Sequence, residues 1–147
     1  MRFKLAGAIV AGLLLTAVSA APADAATNTI TVGSVTLTNR VLVMVPVTVV
    51  CDPLQATSVD SILGVTVTQA SGKAVATGET FPAPIPIPFT CDSVTQNNLV
   101  IDVLPNPGSP PFHGGKAIVQ ASFSSFSPAC NCSEEASTPD VSVHIRG

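Results

Sequence analysis

Val41-Leu42-Val43-Met44-Val45-Pro46-Val47-Thr48-Val49-Val50-Cys51 is the stretch on which the fold turns. Side chains alternate between the two faces of an extended strand, so Val41, Val43, Val45, Val47, Val49 and Cys51 share one apolar face. This is also the one run after residue 25 that invites comparison with a membrane helix. Pro46 and Thr48 interrupt it, and it falls short of the roughly 20 apolar residues that a span requires. It reads as a strand with one face in a core.

The same period-two pattern recurs on either side, while no stretch after residue 25 keeps apolar residues at helical spacing. Strands are expected near Thr29 to Thr38, Val41 to Cys51, Ile62 to Gln69, Lys73 to Thr80, Ile85 to Cys91, Asn98 to Leu104, Lys116 to Ser124 and Val141 to Ile145. Thr38-Asn39-Arg40, Ala70-Ser71-Gly72 and the run Pro105 to Pro111 supply the turns, because Asn and Gly accept unusual φ and Pro removes a ladder donor. In Phe81 to Phe89 proline stands at every second position from Pro82 to Pro88, which confines the segment to an edge or a loop. The expected architecture is all-β, an antiparallel two-sheet sandwich of about seven to eight strands. Its core takes the odd face of Val41 to Cys51, with Leu99, Ile101 and Val103, and with Ala117, Val119, Ala121 and Phe123.

Upstream, Arg2 and Lys4 form a positive n-region, Leu5 to Val18 an apolar h-region, and Ala23-Asp24-Ala25 a small-residue cleavage site. Residues 1-25 are therefore expected to be a secretory signal peptide, and residues 26-147 a single domain of about 120 residues, secreted to the extracellular space or cell envelope. The h-region is too short to span a bilayer, and the mature chain has no candidate transmembrane segment. After Ala25 the cations are Arg40, Lys73, Lys116 and Arg146, set against eight Asp and Glu residues. Such an acidic, unclustered balance disfavours nucleic acid and anionic lipid as partners.

All four cysteines, Cys51, Cys91, Cys130 and Cys132, lie in the exported portion. An even count in an oxidising compartment favours disulfides, and four cysteines allow three pairings. Two alternatives centre on Cys130-Asn131-Cys132: a labile dithiol for thiol exchange, and a metal site completed by His113 or His144. Structural zinc motifs use longer cysteine spacings, and His144 falls with Ser142 and Arg146 on the polar face of its strand. Glu134, Glu135 and Asp140 offer oxygens to calcium, but without the spaced Asp pattern of known loops they read as a solvated acidic loop. Asn131-Cys132-Ser133 formally fits a glycosylation acceptor. No Ser, His and Asp set is singled out for catalysis, and with no Trp or Tyr there is no sugar-stacking platform.

The order of a strand ending in Cys51, the Val/Thr strand Val65-Thr66-Val67-Thr68-Gln69, the Cys91-Asp92 turn and the Ala-rich strand Ala117 to Phe123 resembles immunoglobulin-like sandwiches among small secreted bacterial proteins of unknown function. The chain departs from antibody domains in lacking the core Trp and the tyrosine corner. The resemblance implies that Cys51, Cys91, Cys130 and Cys132 crowd one end of the sandwich. It suggests a Cys51–Cys91 bridge, with Cys130 and Cys132 paired to each other. The function expected is that of a non-enzymatic exported module, without cofactor or metal, that binds a protein or envelope component. Alternatives are a carrier of a small apolar ligand, resembling secreted chromoprotein apoproteins, and a redox or metal-handling protein using Cys130 and Cys132.

Overall fold

The computed structural model describes residues 28–39, 41–53, 60–83, 85, 89–127 and 131–147. The expected signal peptide lies outside them. The elements are β1 (Thr29–Val32), β2 (Thr36–Thr38), β3 (Leu42–Val50), β4 (Asp60–Ser71), β5 (Ala74–Ala83), β6 (Asn97–Val103), β7 (Gly115–Ser127), β8 (Cys132–Ser137) and β9 (Val141–Ile145). Among the described residues there is no helix, and none is long and apolar enough to cross a membrane.

Two antiparallel sheets form the molecule. In the four-stranded sheet β3 is central, with β1 and β2 along one edge and β6 along the other. In the five-stranded sheet the order is β5, β4, β7 and then β8, with β9 pairing the first half of β7. Proline in the central strand β3 is tolerated because of a break opposite it. β1 pairs with β3 as far as Val32↔Val47, and β2 resumes at Thr36↔Met44. Pro46 lies against the gap, where its carbonyl accepts the Gly33 N–H at 2.8 Å and its missing donor faces no ladder partner. A Cβ at Gly33 would stand 3.2 Å from the Pro46 Cβ. The single strand expected from Thr29 to Thr38 is therefore two.

Val43, Val45, Val47, Val49 and Cys51 are buried as the alternation requires, together with Leu99, Ile101 and Val103 on β6. They face Leu63, Val65 and Val67 on β4 and Ala117, Val119, Ala121 and Phe123 on β7. Val41, expected on the same inward face, precedes β3 and is 44% exposed. Two further corrections concern strands. Ile85 and Phe89 to Cys91 belong to no strand, unlike the expected one, and the residues between them lie outside the described set. The acidic segment after Cys132, expected as a loop, is the edge strand β8, paired with β7 from Ser122↔Ser137 to Ser127↔Cys132.

The Pro-rich β6–β7 connection closes one side of the sandwich. Gly78 of β5 bridges Pro105, and the Asn106 N–H donates to the Thr77 carbonyl at 2.7 Å. Phe112, from the same connection, fills the core at 2% exposure. On the opposite side the Leu37 N–H donates to the Arg146 carbonyl, and the Arg146 N–H to Val35.

Three inward positions break the apolar rule, and two of them, Gln69 and Asn97, are satisfied by hydrogen bonds to the backbone. Ser125 is fully buried on β7, yet among the described residues its hydroxyl has no hydrogen-bond partner. A buried orphan hydroxyl costs about 1–3 kcal/mol in lost hydration. Ser125→Ala is expected to leave the fold intact and raise unfolding stability by about 1 kcal/mol in a denaturant titration. A loss of comparable size would show that the hydroxyl is satisfied in solution.

Candidate functional site at the disulfide end

β3 ends and β6 begins at the same end of the sandwich, and a disulfide joins the chain just past β3 to the turn before β6. Cys51 and Cys91 are bonded with Cα atoms 4.6 Å apart, across a sequence separation of 40. The pairing is the one the resemblance suggested. Cys132, the first residue of β8, lies at this end too and is also disulfide-bonded. Cys130 lies outside the described residues.

The turn that follows Cys91 is held by its own side chains. The Asp92 carboxylate accepts the Val94 N–H at 3.0 Å, the Thr95 N–H at 2.6 Å and the Thr95 hydroxyl at 2.7 Å. The Ser93 N–H donates to the Cys51 carbonyl at 2.9 Å, and Ser93 takes a positive φ of 65°. Asn97, buried at the head of β6, donates its amide to the carbonyls of Thr90 and Val49 and accepts the Thr90 N–H. A covalent bond, an Asx-type turn and a buried amide thus fix the same few residues. At the tip stands Val94, 79% exposed.

Beside it, Asn28 ties three elements together. Its carbonyl oxygen accepts the Asp52 N–H at 2.8 Å, and its amide donates to Glu134 of β8 at 2.9 Å. Most of the described charge is divided along the strands, with Asp102 of β6 an acid toward the cationic end. Asp52, Asp92, Glu134 and Glu135 stand at or near the disulfide end; Lys73 in the β4–β5 turn, Lys116 at the start of β7 and Arg146 after β9 stand at the other.

Asp92 is held below its ordinary value of 3.8, first by the Thr95 N–H, then by the Thr95 hydroxyl and the Val94 N–H. Its depressed pKa means that the turn is favoured above the unfolded value and loses that support as pH falls through the folded one. A carboxyl NMR titration is expected to give Asp92 a midpoint below 3.8, with the Val94 and Thr95 amides shifting in step. A midpoint at or above that value would contradict the hydrogen-bonded turn.

Among the described residues, neither the alternative metal set nor the acidic residues weighed for calcium come together. Along β7, Cys132 is registered with Ser127 and His144 with Lys116. Eleven residues of strand separate these rows by about 36 Å. His113 lies at the far end as well, its N–H donated to the buried Gln69 side chain. Glu134 and Glu135 point to opposite faces of β8, and Asp140 accepts a hydrogen bond from Gln120. Among the described residues no group of three His, Cys, Asp or Glu side chains is placed to hold a metal ion. The sequence reading placed a turn at Cys91-Asp92 but missed how Asp92 holds it and that Val94 stands at its tip; Asp followed three residues later by Thr was the available clue.

No protein-family model matches the chain, and neither the curated proteins nor the solved structures contain a match.

Proposed function

We propose that this chain is an exported, non-enzymatic immunoglobulin-like module that binds a protein or envelope component through its disulfide end. The observation that carries the reading is the Val94 turn, an exposed apolar side chain on a backbone immobilised before any partner arrives. Pre-organisation of that kind lowers the ordering cost of association, and an apolar tip on a turn held by Asp92 suits a small apolar pocket with a cationic rim. The sandwich assignment draws support from the pairing of β1, β3 and β6 in one sheet and of β5, β4, β7 and β8/β9 in the other. That order supports the immunoglobulin-like reading if the fifth strand is taken as one added to the larger sheet, as added strands are in variable-type domains. The ligand-carrier alternative has less behind it, since Leu63, Phe112, Phe123 and the valine rows of β3 and β4 pack the space between the sheets.

The test is site-specific photocrosslinking in the native host. A photoreactive residue at Val94 is expected to give a discrete adduct that excess unlabelled protein suppresses, while the same probe at Lys73, at the opposite end, gives none. Equal labelling from both ends would overturn the assignment of the binding surface.

A further inference from the structure

Phe81, on the outward face of β5, is 62% exposed, the most of any aromatic side chain among the described residues. One edge of its ring rests on Gly64 of β4, where an added Cβ would come within 2.8 Å of the ring and 3.0 Å of the Ser122 hydroxyl. Covering a strand glycine gives the ring a packing role. It leaves most of the ring in solvent, as one wall of a depression of about 270 Å³ on the outer face of the five-stranded sheet.

The rest of that depression is polar. Glu79, two residues before Phe81, lines it together with Gln120 and Ser122 of β7 and with Thr138. Two of these groups are already held in place. Gln120 donates its amide to Asp140, which leaves its carbonyl oxygen to accept. The Thr138 hydroxyl accepts the Ala121 N–H at 2.9 Å while the Thr138 N–H donates to the Ala121 carbonyl at 2.8 Å, so the hydroxyl keeps its own hydrogen to donate. A second depression of about 200 Å³ shares Thr66 and Gln120 with the first and continues along the strands to Thr68 and Ile118. Together they form one groove.

An exposed ring beside fixed donors and acceptors matches the surface of a sugar. The negative face of the aromatic quadrupole attracts the C–H bonds on one side of a pyranose, while amide, carboxylate and hydroxyl groups exchange hydrogen bonds with its hydroxyls. Charge narrows the class. Glu79 on β5 and Asp140 before β9 stand on opposite margins of the groove, and two carboxylates repel an anionic polymer. We propose that this groove binds a neutral glycan, with Phe81 stacked on one sugar ring and Glu79, Gln120 and Ser122 bonded to its hydroxyls. Without Trp or Tyr the sequence offered no stacking platform; the platform is a Phe that only the packing of β5 on Gly64 sets among polar partners. The groove lies on a sheet face and Val94 at the disulfide end, so the inference does not depend on the proposed binding surface.

Affinity electrophoresis of the purified protein tests it, in native gels cast with a mannan, a galactan, a β-1,3-glucan or hydroxyethylcellulose, and with alginate as the anionic control. The expected result is retardation by at least one neutral polymer, with the dissociation constant raised at least about tenfold by Phe81→Ala. Phe81→Trp is expected to retain binding, Gln120→Ala to weaken it, and Val94→Asp to leave it unchanged. Phe81 and Gln120 are both exposed, so their variants are expected to melt with the wild type. If Phe81→Ala fails to fold, Gln120→Ala decides the matter. Passage of the wild type unretarded through all four neutral gels would leave Phe81 as a cover for Gly64 alone and overturn the proposal. So would retardation indifferent to Phe81→Ala and Gln120→Ala, or retardation stronger in alginate than in every neutral gel.

Discussion

Cys51→Ser is expected to cost about 4 kcal/mol of unfolding stability, the loop-closure value for a ring of 40 residues. The loop it opens includes β4, β5 and the Pro-rich segment after them, so the unfolded chain regains freedom over more than a quarter of its length. The folded state loses as well: Cys51 is buried, and its partner's turn depends on the Ser93 N–H reaching the Cys51 carbonyl. Cys91→Ser should behave alike, and the double variant should cost no more than either alone, since both remove one bond. Chemical denaturation of the three variants checks this, and a loss below about 1 kcal/mol in the single variants would mean that the bridge restrains little. Replacing Cys132 should cost much less if its partner is Cys130, because so short a loop restricts the unfolded chain little; non-reducing peptide mapping identifies that partner.

Phe112→Ala is the second large effect, expected at about 3–5 kcal/mol. The ring is one of the largest fully buried side chains, and it lies against Gly78, where a Cβ would collide with both the Phe112 ring and the Leu104 carbonyl. Removing it leaves a cavity under a connection that β5 holds through the Gly78 to Pro105 bridge and the Asn106 to Thr77 hydrogen bond. The connection should loosen along with the core, visible as faster amide exchange at Asn106. A loss near that of a surface substitution would show that the ring is not part of the core in solution.

The contrast between Phe112 and the valines of β3 shows what the sequence could carry. Val43 to Val49 announce their burial by alternation, because a strand's own geometry sorts its side chains. Phe112 sits in a Pro- and Gly-rich connection with no period, and only the folding of that connection over β5 decides where its ring goes. β8 was hidden for a related reason. Cys132-Ser133-Glu134-Glu135-Ala136-Ser137 has almost no apolar face, and it becomes a strand because β7 extends to Ser127 and offers it a ladder. The break between β1 and β2 follows from Pro46, a residue on a different strand. At the candidate site the four cysteines were evident from composition and the Cys51–Cys91 bridge from the resemblance, while Cys130 lies outside the described residues. The Val94 turn needed coordinates, since it is made by hydrogen bonds within five residues rather than by a repeating pattern.

The most direct test of the proposed binding role is equilibrium binding of labelled protein to washed envelopes of the native host, comparing wild type with Val94→Asp. The Val94 side chain is exposed, so the variant should melt with the wild type. Saturable binding by the wild type, weakened at least about tenfold in Val94→Asp, is the expected result. Equal binding by the two proteins, or no saturable binding by either, would contradict the account.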